Sequence, residues 1–256
     1  MSNSVADFYD QLADDYHLIF GDWQQSVRRQ GALLDGIIRR EIGAPPLSVL
    51  DCTCGIGTQA IGLALHGYTV HATDLSAAAV KRAAREADGF GVSIRTGVAD
   101  VRKLETQVEG TFDVVISMDN SLPHLLTDDD LAQAARGIAT KTRPDGRLIV
   151  GMRDYDQALV DKPRSTPPQL VEDANGKHVT FQVWEWQGDE PFYTVNHFIL
   201  KERDGQWQTA HRTTVYRALR RAELDAALTE AGFRDLQWWM PAESGAYQPI
   251  LAARRG

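Results

Sequence analysis

The ten residues from Val49 to Thr58 constrain the fold of this 256-residue chain more than any others. Val49 and Leu50 close an apolar run that reads as a strand. Asp51 stands at its carboxyl end, and Gly55 and Gly57 form a tight turn that opens the next helix. Glycines there let the backbone approach a ligand closely, in the crevice where doubly wound sheets bind nucleotides. The run Gly55-Ile56-Gly57-Thr58-Gln59-Ala60 also fits the dinucleotide fingerprint, so its spacing alone does not choose the ligand. Asp51 narrows the choice: it would repel a pyrophosphate on the helix N-terminus and attract a ligand carrying an ammonium group.

Two later strand ends extend the pattern. Val70-His71-Ala72-Thr73-Asp74 reads as a second strand whose terminal acid is placed to bind both ribose hydroxyls. Ala99-Asp100-Val101 follows a short third strand expected at Ser93 to Arg95, where Asp100 can accept a hydrogen bond from an adenine amino group. Phe112 to Ser117 and Gly146 to Val150 read as the fourth and fifth strands. A lone acid after a strand is usually a helix cap. Three at successive strand ends, after one glycine loop, form a pattern. S-adenosyl-L-methionine has the required ammonium on its methionine end and carries no phosphate.

The stretch from Leu47 to Arg153 resembles the class I S-adenosylmethionine-dependent methyltransferases. That resemblance implies an α/β fold with a doubly wound, seven-stranded, mostly parallel sheet of the Rossmann-like methyltransferase type. The expected cofactor contacts are Asp51, Gly55, Gly57 and Thr58 in the first loop, then Asp74 and Leu75 after the second strand. Asp100 and Val101 follow the third strand, and Met118 follows the fourth. An NAD-dependent dehydrogenase is the remote alternative, opposed by Asp51 and by the acid on the adenine side.

Composition sets the outer bounds. The formal charge is −8 and no dense lysine and arginine block occurs, which argues against a nucleic-acid partner. Met1 to Asp10 is polar and acidic, so a signal peptide is not expected. No apolar run reaches the ~18 residues of a membrane span. The two cysteines, Cys52 and Cys54, both lie in the glycine loop. A disulfide between them would strain the loop, and no further cysteine or histidine cluster completes a zinc site, so no metal is expected. They read as small fillers, and the chain as cytoplasmic.

The expected organisation is N-terminal helices over 1–43, a cofactor-binding core over 44–157 and 218–256, and a β-rich cap inserted over 158–217. A first helix is expected over Ser4 to His17. Asp22 can cap a second in which Trp23, Val27, Leu34 and Ile38 recur at near-helical spacing. After a proline-rich linker from Asp161 to Pro168, three antiparallel strands are expected at His178 to Trp186, Phe192 to Glu202 and Gln206 to Arg217. Gly188-Asp189 and Asp204-Gly205 are the turn signals between them. Leu236 to Met240 and Tyr247 to Ala253 supply the last two strands, the final one antiparallel.

Met118-Asp119-Asn120-Ser121-Leu122-Pro123-His124-Leu125 and Met152-Arg153-Asp154-Tyr155-Asp156 follow the fourth and fifth strands. With the N-terminal run Asp15 to Trp23, they resemble glycine N-methyltransferase and the bacterial glycine/sarcosine N-methyltransferases. The resemblance implies that Arg153 pairs with an amino acid's carboxylate and that Asn120 helps to hold it. It also implies that His124 and Tyr16 contact the cofactor. Structural rivals stand beside these roles: Arg153 pairing with Asp154 or Asp156, and His124 filling a gap under a helix. Among the cap aromatics, Tyr216 is the choice to face the substrate. Asp119 departs from the family's glycine, Asp154 from its asparagine and Pro123 from its small residue, and the extra acids favour a more basic or larger amine than glycine. The expected reaction is methyl transfer to the nitrogen of a small amino acid or related amine, with Asn120 and Arg153 positioning it. O- or C-methylation of a small natural product is the alternative, and the oligomeric state is left open.

Overall fold

A computed structural model describes residues 4–173, 176–188 and 190–256. The strands in chain order are β1 (Ser48–Asp51), β2 (Thr69–Asp74), β3 (Arg95–Val98), β4 (Phe112–Ser117) and β5 (Thr142–Gly151). They continue with β6 (Gln169–Asp173), β7 (Gly176–Trp186), β8 (Phe192–Arg203), β9 (Gln206–Arg217), β10 (Phe233–Trp239) and β11 (Ile250–Arg255).

Seven of them form one sheet in the order β10-β11-β5-β4-β1-β2-β3. Only β11 runs against its neighbours, β5 and β10, as expected of the final strand. The order reverses at β1, which pairs in parallel with both β2 and β4. This is the switch point where doubly wound sheets open a crevice beyond the strands' carboxyl ends.

Side-chain alternation divides the core into two layers. Val49, Val114, Ile116 and Ile149 face the helices Trp23–Glu41 and Thr58–Leu65. Leu50, Val115, Leu148 and Val150 face the helices Asp128–Lys141 and Arg221–Glu230. Each such fully buried side chain contributes about 1.5–3 kcal/mol, and burial on both faces makes β4 an almost continuous apolar run. Local chemistry fixes the helix starts. Asp22, Ser76 and Thr127 each accept a backbone N–H three residues on, from Gln25, Ala79 and Asp130.

The first core helix touches the cofactor-loop helix through bare backbone. A Cβ added to Gly31 would lie 2.6 Å from the Gly62 backbone, and one on Gly62 would lie 2.6 Å from the Val27 carbonyl. The contact is extended by Gln59, whose Nε2 donates to Gln30 Oε1 at 2.7 Å.

The cap is an antiparallel sheet in the order β6-β7-β8-β9, with four strands where three were expected. The extra strand, β6, follows Pro167 and Pro168, which hid it; on an edge, proline removes no needed donor. The preceding linker already lies along β7, since Trp184 N–H donates to the Arg164 carbonyl and Thr166 N–H to that of Gln182. Asp204 and Gly205 both have positive φ, the requirement of a two-residue hairpin turn. Asp189 of the other turn signal lies outside the described residues.

Several boundaries differ from expectation, the last two strands being Phe233–Trp239 and Ile250–Arg255 in place of Leu236 to Met240 and Tyr247 to Ala253. The first helix stops at Leu12, because Asp15 leaves the helical path to pair with Lys201 and Arg212 of the cap. The third strand is Arg95–Val98, its register set by pairing with β2 rather than by apolar residues of its own. Arg143 to Gly146 is taken into β5 as an irregularity in its pairing with β4.

Candidate active site

The loops after β1, β2 and β3, with the N-terminal helix Val5–Leu12, enclose a cleft of about 370 Å³. Tyr16, Gly55, Asp74, Leu75, Asp100, Val101 and His124 of the expected cofactor contacts line it. Gly55 has φ +52, and a Cβ there would meet the Tyr16 ring at 3.2 Å, so the loop is shaped to a side chain above it. Asp74 holds the loop closed: its carboxylate accepts the Gly55 N–H at 2.8 Å and the Ser76 N–H at 2.9 Å.

Other expected contacts sit behind this wall. Asp51 is 1% exposed; one oxygen accepts a long bond from Thr53 N–H, and the other has no partner. Burial, with Asp74 and Asp119 nearby, pushes its carboxyl well above the usual range. A buried carboxylate in that state is a site for a cation. Gly57 has φ +91 and packs against Ile61 and Ala83, serving the turn rather than the cleft. The Thr58 hydroxyl accepts the Trp23 indole N–H at 2.9 Å. Met118 lies against Gly151 and lines a third cleft. Asp100 is already gripped by Arg102 on both carboxylate oxygens, which leaves its outer lone pairs for a ligand. Cys52 and Cys54 are buried thiols, and burial raises both thiol pKa values.

A second chamber of about 380 Å³ lies between the core and the cap, and Tyr9 and Tyr16 line both cavities. Their aromatic partition continues through His124. Tyr9 Oη lies 2.8 Å from His124 Nε2 and 3.4 Å from Tyr216 Oη, and the His124 and Tyr216 rings are 4.0 Å apart. Burial lowers His124 to a pKa of about 3, so it is a neutral hydrogen-bonding ring rather than a charge.

Arg153 and Asn120 enter this chamber together, since Arg153 N–H donates to Asn120 Oδ1 at 3.1 Å. The Arg153 guanidinium donates to the Tyr193 hydroxyl and to Gln182 Oε1, each at 3.1 Å. It lies 4.6 Å from the Trp184 ring centroid and 5.7 Å from that of Tyr216. The expected rivals do not hold it: Asp154 and Asp156 pair instead with Arg221. No carboxylate pairs with Arg153 among the described residues. Its partners are neutral dipoles and π faces, which stabilise a cation while leaving it able to bind an anion.

Asp119 and Asn120 adopt φ +55 and +70, so two successive non-glycine residues are left-handed, at a cost of about 1–3 kcal/mol each. The strained turn delivers Asp119 to the chamber, where its carboxylate accepts the Tyr247 hydroxyl. Tyr9, Gln182, Tyr193 and Tyr247 are the site residues that sequence reasoning missed. A polar side chain on the inner face of a cap strand is the one available signal for Gln182 and Tyr193; Tyr9 and Tyr247 carried none.

Residues 49–146 match a family model described as a methyltransferase domain. The glycine/sarcosine N-methyltransferase of Parasynechococcus marenigrum is 33% identical over 138 residues, covering 54% of this chain and 48% of that protein. The chain thus spans about half the length of the first curated relatives it matches. Among solved structures, Streptomyces venezuelae DesVI superposes with a TM-score of 0.81 at 17% identity, covering 95% of this chain and 98% of that one. The sugar N-methyltransferase KedS8 from Streptoalloteichus does so at 0.73 and 18%, covering 88% and 86%. These two likenesses speak for the fold. An intact glycine loop, the methyltransferase domain matched over residues 49–146 and these relatives support a class I S-adenosylmethionine-dependent methyltransferase.

Proposed function

We propose that the chain methylates the nitrogen of a small amino acid or related amine, using S-adenosylmethionine. The observation that carries this reading is Arg153: a half-buried guanidinium, facing the chamber between core and cap, with no carboxylate beside it among the described residues. A cation held so is best completed by a substrate carboxylate in a forked contact.

The cofactor cleft supports the same reading. Asp51 has an unpartnered buried oxygen, Asp74 borders the cleft, and Gly55 keeps the loop flat beneath Tyr16. The residues fit a cationic, phosphate-free ligand: Asp51 for its ammonium, Asp74 for its ribose hydroxyls and Asp100 for its adenine edge. When bound, S-adenosylmethionine supplies a methyl group made electrophilic by the sulfonium. The protein's part is alignment. Arg153 and Asn120 fix the acceptor, and Tyr9, Tyr16 and Tyr216 form the wall between the two cavities. Orientation of this kind lowers a displacement barrier by ~7–11 kcal/mol in favourable cases.

A second reading, an amine without a carboxylate, is favoured by the hydroxyl-rich wall of Tyr9, Tyr193 and Tyr216 and by the sugar acceptor in the name of one fold neighbour. O- or C-methylation stands behind both. Purified protein with methyl-labelled cofactor, screened by mass spectrometry against amino acids, amino sugars and simple amines, tests all three. Label on the nitrogen of a carboxylate-bearing acceptor is expected. Label found only on oxygen or carbon would overturn the amine reading.

A further inference from the structure

We propose that Asp119 binds the acceptor's ammonium group and takes from it the proton that the nitrogen must lose before it can attack. The inference rests on the amine reading above and adds to it a residue with a chemical task.

Three features carry it. Asp119 shares the acceptor chamber with Arg153, so the cavity has a fixed cation and a fixed anion, the complement of a zwitterion. Its carboxylate accepts the Tyr247 hydroxyl, and no lysine, arginine or histidine pairs with it among the described residues. Its backbone is left-handed beside an equally left-handed Asn120, and this turn sets the carboxylate between the chamber and the Tyr247 hydroxyl. A half-buried acid in a chamber, with no protein cation beside it among the described residues, is completed by a ligand cation.

The groups facing Asp119 favour proton uptake. Tyr247, Tyr16, Gln59 and the carboxyl of Asp51 are its charged or polar neighbours. Burial holds the Asp119 carboxyl above the ordinary carboxylate range, against the opposing hydrogen bonds of Tyr247 and Gln59. The step balances simply. The ammonium gives one proton to the Asp119 carboxylate, freeing the nitrogen lone pair. A nitrogen–carbon bond then forms as the methyl–sulfur bond breaks, and that bond's electron pair leaves on sulfur. The product departs as a methylated ammonium. The Asp119 proton passes to water beside Tyr247, a residue 55% exposed. The substrate class this selects is a small amine that arrives protonated, carrying an anionic group for Arg153.

The test compares wild type with Asp119→Asn, which keeps the shape and tolerates positive φ. Glycine, sarcosine and larger amino acids are the acceptors, from pH 6 to 10, with calorimetric titration of S-adenosylmethionine reporting an intact fold. In the variant, kcat/KM should fall about a hundredfold near neutral pH, and the acid limb of its profile should move up to the acceptor's own amine pKa. Cofactor affinity should hold. A variant with unchanged kcat/KM and an unmoved acid limb would overturn the proposal. Tyr247→Phe gives a second test: losing the hydrogen bond should raise the acid limb, and an unmoved limb there counts equally against it. A wild type that methylates hydroxyl acceptors but no amine sinks the underlying reading, and the proposal with it. A wild type active on amines with an indifferent Asp119→Asn sinks the proposal alone.

Discussion

The two cavities are built in opposite ways. The cofactor cleft is made by consecutive loops at the carboxyl ends of β1, β2 and β3, and its main features are backbone conformation and acids at fixed places in the chain. The second chamber, proposed above to hold the acceptor, is made by side chains from far-separated positions: Tyr9, Asp119, Arg153, Gln182, Tyr216 and Tyr247. A cofactor common to a family is met by geometry that short motifs can specify. An acceptor is met by a surface that only the folded chain assembles.

The largest expected effect falls on the chamber alone. Arg153→Ala should raise the acceptor's Michaelis constant strongly and cost ~2–5 kcal/mol in kcat/KM, leaving S-adenosylmethionine affinity nearly untouched. Arg153→Lys should recover only part, because an ammonium lacks the forked contact. A silent Arg153→Ala would show that the acceptor has no carboxylate and would end the amino-acid reading. On the other side, Asp74→Ala should weaken cofactor binding by ~1–3 kcal/mol, since it releases the Gly55 and Ser76 amides as well as the ribose contact. If calorimetry finds acceptor binding hurt and cofactor binding spared, the division into two sites is drawn in the wrong place.

Acid should separate the regions further. Burial depresses His124 to a pKa of about 3 and His197 to about 4, and His197 lines the chamber while His124 stands in its partition. Both are neutral in the folded and unfolded chain above pH ~6.5. Below that the unfolded chain takes up protons that the folded one refuses. The histidines' contribution to stability therefore falls as pH drops from ~6.5 toward the folded values, by at most about 1.4 kcal/mol per pH unit for each, while the raised carboxyls of Asp51, Asp74 and Asp119 act in the opposite direction. Thermal melts should record this slope, and His124→Gln should flatten it. Equal slopes in the two proteins would assign the acid sensitivity elsewhere. The smallest effect concerns motion: hydrogen exchange in Phe181 to Tyr216 should slow when cofactor and acceptor are both present. No change would make the cap a static wall.

The same contrast explains what could be read from sequence. The places of Asp51, Gly55 and Asp74 were legible because a strand, a turn and a helix follow in succession, and the fold sets Gly55 and Asp74 on the cleft wall with Asp51 behind it. Arg153, Asn120 and Tyr216 were reached through resemblance or choice among aromatics, and they meet in one chamber. Thr58, Gly57 and Met118 stand in the right loops, but their side chains face the core or a different cleft, a direction that linear position does not encode. The edge strand β6 was hidden by the prolines just before it, Pro167 and Pro168. Tyr9 and Tyr247 reach the site by tertiary contact alone: the first helix is pinned by the cap, and the segment before β11 folds back over Asp119.

The glycine-to-glycine crossing of Gly31 and Gly62 has a consequence for how such a protein can change. It welds the cofactor-loop helix to the helix that carries Arg29 and Gln30 to the chamber floor, so floor and loop form one casting. A side chain at either glycine would push on both at once. The roof comes from the second sheet: β7, β8 and β9 bring Gln182, His197 and Tyr216, and they rest on the core through Tyr155, Ile199 and the ion pairs of Asp15. Acceptor preference can thus be retooled by exchanging roof residues while the cofactor machinery keeps its tolerances.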